Sequence, residues 1–230
     1  TEWAALLRKL DRENSNYKIT YETPKAGEYS MSVARATRGG LYGEYFNNRW
    51  LYGTRMMARV DEQINFRWNS YITPTGVDYI SVRWTGYLKP AFSGIYTFHM
   101  NVNDGAKLWV DEEVIIDEFE SAVNDTSAND AQAYNQFSGV TSKALVADRL
   151  YRIKIEFREN TGAARAQLYW SSKSQVKALV PSNRMFYESE EIRGSPFTVV
   201  PRGIKPSPPL DLKLEIDSEK SLKVLWMPPA

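Results

Sequence analysis

The stretch "IYTFHMNVNDGAKLWVDEEVIIDE" (residues 95–118) decides the fold. Tyr96, Phe98, Met100 and Val102 alternate with Thr97, His99 and Asn101. A period of two sends apolar side chains to one face and polar ones to the other, the signature of a half-buried β-strand. Asn103-Asp104-Gly105 then breaks the pattern with strong hairpin-turn chemistry. "AKLWV" follows as a core strand carrying Trp109, and Asp111, Glu112 and Glu113 supply a second, acidic turn.

The same texture continues outward. "INFRW" (64–68), "YISVRWTGYL" (79–88), "LYRIKIEFR" (150–158) and "ARAQLYW" (164–170) are short β-type runs bounded by Gly, Pro, Asn or Asp. In the third, Tyr151, Ile153, Ile155 and Phe157 alternate with Arg152, Lys154, Glu156 and Arg158. Many short strands with turn signals between them predict an all-β sandwich or barrel and argue against βαβ units. Residues 121–139 are polar and aperiodic and read as a long loop. Trp3, Leu6, Leu7 and Leu10 sit at helical spacing, which predicts a short helix over residues 1–12.

Composition narrows the function classes. Apolar residues make up 43% and aromatics 13% of 230 residues, enough for a sizeable core. Net charge is +1 with no basic stripe, which argues against nucleic acid as a partner. The absence of cysteine excludes disulfides, thiolate nucleophiles and Cys-bound zinc; one histidine, His99, excludes a multi-histidine metal site. No apolar run is long enough for direct membrane insertion. The sequence opens at "TEWAALLRKL" and stops at "VLWMPPA" in mid-pattern, so it reads as a segment of a longer protein.

Six motifs carry a resemblance. In order they are "GLYGEYF" (40–46), "INFRW" (64–68), "SVRWTGYLKPAFSGIYTF" (81–98), "NDGAKLWVDEEVIIDE" (103–118), "LYRIKIEFRENTGAARAQLYW" (150–170) and "LVPSNRMFY" (179–187). Together they resemble the PA14 domain, the β-module of anthrax protective antigen, flocculins, adhesins and many glycosidases. The flanks resemble other folds. "YKITYETPKAGEYSMSV" and "IRGSPFTVVP" are similar to strands of a filamin-type immunoglobulin-like repeat, and the tail is similar to the start of a fibronectin type III domain, with Trp226 at that family's core tryptophan. The implied organisation is a filamin-like N-terminal part over 1–38, a PA14-like β-barrel or sandwich over 39–187, the last filamin-like strand over 188–203, and a linker with incipient fibronectin type III strands over 204–230.

The resemblance also implies a site. In sugar-binding PA14 domains two consecutive aspartates in this loop hold calcium; here the pair reads Asn103-Asp104, with one carboxylate replaced by an amide. Calcium takes six to eight hard oxygen ligands and favours negative charge. Asp104 and Asn103 are therefore the candidate calcium ligands, with Asn124, Asp125, Asn129 and Asp130 as further oxygens; a plain turn is the competing reading. Asp104, Asn103, Asn101 and Trp50 are the candidate ligand-binding residues, and Tyr52 and Tyr71 are further rings that a sugar would stack on. Trp68, Trp84, Trp109 and Trp170 are expected in the core. His99 is expected at a surface or half-buried strand position. "NDT" at Asn124 fits a glycosylation acceptor in a secreted chain.

The expected function is a non-enzymatic binding or adhesion module in a large multidomain protein, with a carbohydrate or protein ligand, next to other domains of the same chain. Two alternatives stand beside it: a docking scaffold of a cytoskeletal or ciliary assembly, and an accessory domain of a glycosidase. Location follows the choice, extracellular or cell-surface for the first.

Overall fold

The computed structural model describes residues 10–11, 16–17, 28–121, 134–191, 193–200, 210–218 and 221–227. Asn124, Asp125, Asn129 and Asp130 lie outside them. The chain divides into two units, Val33–Ser195 and the paired segments Thr1–Ser32 and Pro196–Ala230. Strands are numbered β1 to β19 in chain order.

Among the described residues the flanking unit holds three antiparallel pairs. They are β1 (Leu10–Asp11) with β2 (Asn16–Tyr17), β3 (Tyr29–Met31) with β17 (Phe197–Val199), and β18 (Leu210–Ser218) with β19 (Ser221–Met227). Leu10 and Asp11 are thus extended, against the helix expected over 1–12; the rest of that stretch, apart from these two residues, lies outside the described ones. A short helical pattern is a weak local preference, which strand pairing overrides at Leu10 and Asp11.

Residues 33–195 form an antiparallel β-sandwich. The larger sheet contains β4 (Ala34–Arg38), β5 (Leu41–Phe46), β6 (Met57–Asp61), β8 (Ser81–Leu88), β10 (Gly105–Val110), β11 (Glu113–Glu118), β13 (Tyr151–Arg158) and β16 (Met185–Glu191). Its order is β11-β10-β13-β8-β16-β4, with β5 joining β8 to β6. The smaller sheet contains β7 (Asn65–Trp68), β9 (Tyr96–Asn103), β12 (Asn135–Val140), β14 (Ala164–Ser172) and β15 (Gln175–Leu179), in the order β12-β9-β14-β15 with β7 on β14. Among the described residues the one helical element is a 3-10 turn, Ser182–Arg184, and no helix is long and apolar enough to cross a membrane.

The alternation read from sequence builds the core. Tyr96, Phe98, Met100 and Val102 of β9 face Tyr151, Ile153, Ile155 and Phe157 of β13 within one buried cluster. Trp84 and Trp170 are buried there, and Trp68 packs against it. A polar anchor sits inside the larger sheet. The Asp61 carboxylate, 5% exposed, accepts from the Tyr45 hydroxyl (2.5 Å), Trp84 Nε1 (2.7 Å) and Arg59 Nε (2.7 Å). Three donors compensate a buried charge that alone would be costly. Its negative charge, after burial itself, holds the Tyr45 hydroxyl proton far above the ordinary phenol range.

Three further expectations are corrected. Residues 135–139 of the expected loop are not loop but pair with β9 as part of strand β12. Asn103-Asp104-Gly105 is not a hairpin turn, because β9 pairs with β12 and β14 while β10 pairs with β11 and β13. The chain changes sheets at Asp104. Gly105 allows this corner, since a Cβ there would collide with the Phe119 carbonyl oxygen. Trp109 is not in the core. Ala106, Leu108 and Val110 face inward, so period two turns Trp109 outward, where Lys154 Nζ lies 3.6 Å and Lys107 Nζ 5.1 Å from its ring centroid. The second acidic turn forms at Asp111 (φ 51°) and Glu112 (φ 70°), a two-residue hairpin loop between β10 and β11; Glu113 already belongs to β11.

Candidate functional site

Strand register gathers one end of the sandwich. Gly105 pairs with Arg158, Arg158 with Ser81, and Ser81 with Phe46. The corner at Asp104, the loop after Arg158, the loop before Ser81 and the loop after Phe46 therefore meet. Binding loops carried on such a rigid frame keep their geometry at little entropic cost.

Asp104 is 5% exposed and follows a cis peptide bond from Asn103. Its amide donates to the Arg158 carbonyl (3.0 Å), and its Oδ2 accepts the Asn160 amide (2.7 Å). Its carbonyl accepts Asn135 Nδ2 (3.0 Å). Three hydrogen bonds to residues 78–80 fix the 159–162 loop. Glu159 N donates to the Ile80 carbonyl (2.8 Å) and Tyr79 N to the Asn160 carbonyl (2.8 Å), while Gly162 N donates to Asp78 Oδ1 (3.0 Å).

Glu159 is the residue that the sequence reading missed. Its side chain is fully buried, and among the described residues neither carboxyl oxygen has a hydrogen-bond donor. Burial first, then the charges of Asp104 and Asp78, push its carboxyl up to about 9. A signal for it was present. Tyr151, Ile153, Ile155 and Phe157 define the inward face of β13, and the next step of two lands on Glu159. An acid on the apolar phase of a strand needs a partner.

An aromatic rim surrounds this pocket of charge. Trp50 is 54% and Tyr79 53% exposed. The Arg49 guanidinium lies 5.3 Å from the Trp50 ring centroid and 5.4 Å from that of Tyr79, and its Nη1 donates to Asn160 Oδ1 (3.0 Å). Arg158, paired with Glu120 at 2.7 Å, lies 5.4 Å from the Trp50 centroid. Ser81 Oγ ties the Trp50 loop down, accepting from Leu51 N (2.9 Å) and donating to the Asn48 carbonyl (2.6 Å).

Of the residues expected to bind, Asp104, Asn103 and Trp50 thus belong to this end. Tyr52 and Tyr71 are exposed, at 81% and 65%. Asn101 lies one strand step further along β9, buried on the outer face of the smaller sheet. His99 is half-buried beside Ser171 (Nε2 to Oγ, 3.0 Å), and burial followed by Lys177 lowers its pKa.

Among the described residues no three Asp, Glu or His side chains converge as a ready metal cage. A cation here would take mixed oxygens, as calcium does: the Asp104 and Glu159 carboxylates, the Asn103 amide and main-chain carbonyls. The unpartnered Glu159 oxygens fit such an ion, and they replace the charge absent at position 103. The ion would supply positive charge and open coordination positions for ligand hydroxyls.

Comparison with known proteins supplies the family. The PA14 domain model matches residues 37–184. The anti-sigma-I factor RsgI3 of Acetivibrio thermocellus is 37% identical over 158 residues, covering 67% of this chain but 22% of that protein. A solved anti-sigma factor domain-containing protein is 31% identical, with a TM-score of 0.57, over 81% of this chain and 58% of its own. A PA14 sugar-binding domain from an RTX adhesin shares the fold at 15% identity and TM-score 0.51, over 66% of this chain and 99% of its own. The chain thus spans about a fifth of the curated relative's length.

Proposed function

This chain belongs to the PA14 domain family, and on that footing we propose that it is a non-catalytic recognition module that binds carbohydrate through a calcium ion at its loop end. The observation that carries the reading is Glu159: a fully buried carboxyl with two unpartnered oxygens beside the buried Asp104. Such an arrangement is destabilising unless it is protonated or a cation joins it. The exposed rings of Trp50 and Tyr79 add the apolar faces on which a sugar ring stacks, and Asn160 and Arg49 add hydrogen-bonding groups. The adhesin domain with this fold is described as sugar-binding, which supports the ligand class.

In the whole protein this module would serve as the ligand-sensing part of a larger chain. Relatives named as anti-sigma factors support that placement. The flanks are proposed to be a filamin-type immunoglobulin-like element and the start of a fibronectin type III domain. The in-register pairing of Tyr29–Met31 with Phe197–Val199, on either side of the sandwich in sequence, supports the first, and the β18–β19 hairpin the second.

Calorimetric titration with calcium, followed by a glycan array in calcium and in EDTA, tests the proposal. Calcium binding lost in Asp104→Ala, together with calcium-dependent glycan retention, is expected. A melting temperature that calcium leaves unmoved and an empty array would overturn it.

A further inference from the structure

Exposed rings gather in two loops. Among the described residues the exposed aromatics are Trp50, Tyr52, Tyr71, Tyr79 and Phe92, and the first four belong to residues 47–56 and 69–80. Met56 and Val77 are exposed in the same loops. Apolar residues scattered singly over a surface need no explanation, but six in two adjoining loops do.

The two loops form one unit. Asn47 Oδ1 accepts from Thr73 Oγ1 (2.6 Å), and Asn47 Nδ2 donates to Thr75 Oγ1 (2.8 Å). Thr73 is buried and follows Tyr71 closely in the chain. Asn48 winds its own loop: its Oδ1 accepts from the amides of Trp50 (2.9 Å) and Tyr52 (3.3 Å), and its Nδ2 donates to the Tyr52 carbonyl (2.8 Å). Leu51, between the two rings, has φ 55°, and Tyr79 has φ 56°. Bulky side chains avoid this left-handed region unless their surroundings enforce it. Here Leu51 N is tied to Ser81 Oγ and Tyr79 N to the Asn160 carbonyl. The strain thus sits beside rings that water surrounds, where it does nothing for the core, and such outliers cluster at ligand clamps.

We propose that the loop end holds the interior of a β-1,4-linked polysaccharide chain, several sugar residues at once, and not a single terminal sugar. The proposal rests on the loop-end reading above and adds the length and linkage of its ligand. An exposed ring gives a sugar one face and stays partly in water, so each stacking contact is weak. Several weak contacts hold firmly only when one ligand joins them. Trp50 and Tyr79, both beside the Arg49 guanidinium, serve one part of the chain, and Tyr52 and Tyr71 extend the platform. Equatorial sugars joined β-1,4 form an extended ribbon with an apolar ring face at each residue, whereas β-1,3 linkage coils the same sugars. A lipid surface fits less well. Arg49, Asn160 and Asp78 stand among the rings, and hydroxyls match such polar groups where acyl chains do not.

The protein is titrated, in calcium and in EDTA, with cellobiose, cellohexaose and laminarihexaose, the last being the same six glucoses joined β-1,3. Cellohexaose is expected to bind about tenfold or more tightly than cellobiose, and laminarihexaose no more tightly than cellobiose. Tyr52→Ala with Tyr71→Ala is expected to bring cellohexaose down to the level of cellobiose. Both rings are exposed, so the variant keeps the core. Val176→Ala, exposed on β15, controls for loss of a surface apolar group and is expected to bind as wild type. Equal binding of the two hexaoses, affinity independent of length, indifference to the double variant, or cosedimentation with phosphatidylserine vesicles in place of glucan binding would each overturn the proposal. Silence towards every glucan would overturn it too, while calcium-dependent retention on the glycan array would leave the preceding proposal standing. Length-dependent binding that persists in EDTA would support this proposal and remove calcium from the preceding one.

Discussion

The Glu159 carboxyl is buried where the charge of Asp104 opposes its ionisation, and it is held up to about 9 by burial and by that charge. The consequence is a pH-dependent stability of definite sign. From pH 4.5 to about 9 the unfolded chain has lost this proton while the folded chain keeps it. Stability therefore falls as pH rises through that window, by at most about 1.4 kcal/mol per pH unit from this group. Urea denaturation in EDTA at pH 5 and pH 8.5 is expected to show the decline, and Glu159→Gln to remove most of it. Calcium is expected to flatten it as well, because the ion favours the carboxylate; an identical slope in wild type and Glu159→Gln would refute the assignment.

Asn103→Asp restores a second charge next to Asp104. If calcium occupies the corner, this variant is expected to bind it about tenfold more tightly, an order of magnitude set by one added carboxylate in a partly screened site. Asp104→Asn is expected to abolish calcium binding while keeping an oxygen to accept the Asn160 amide, now 2.7 Å away. Calorimetry distinguishes the two, and calcium binding unchanged in both variants would show that the ion sits elsewhere.

These residues also show what the sequence could and could not disclose. The alternation of Tyr96 to Val102 and of Tyr151 to Phe157 announced the sandwich because period two is a local property of the chain. Asn103-Asp104-Gly105 misled for the same reason. Hairpin chemistry is local, but the choice between pairing back and crossing to the other sheet depends on partners far along the chain, such as Arg165 for Asn103 and Arg158 for Gly105. Trp109 was placed inside because it sits in a strand motif and is large, whereas Leu108 and Val110 on either side had already claimed the inward phase. Glu159 was legible by extending the β13 rhythm one step. Its nearness to Asp104 and Asp78 was not, since three separate segments bring them together.

Asp61 is expected to be a stability residue and nothing more. Its carboxylate is the acceptor for Tyr45, Trp84 and Arg59, so Asp61→Ala leaves two buried donors and an arginine unpaired. A loss of about 3–5 kcal/mol is expected in chemical denaturation. Gly43→Ala should be similarly severe, because its Cβ would lie 2.7 Å from Asp61 Oδ2 and 2.9 Å from Trp84 Nε1. A folded Asp61→Ala domain with unchanged midpoint would contradict the cluster's role.

Trp50 and Tyr79 separate binding from stability. Both rings are more than half exposed, so truncating either removes little buried area, and the melting temperature should stay within about two degrees of wild type. What each ring loses is its exposed face, set beside Arg49 at 5.3 and 5.4 Å. A glycan that stacks on that face should bind Trp50→Ala and Tyr79→Ala about tenfold more weakly, as expected for one lost aromatic contact. Calcium affinity should be unchanged, because neither ring carries an oxygen ligand of the corner. A glycan bound equally well by both variants would place the sugar away from this rim, even if the ion stays at Asp104.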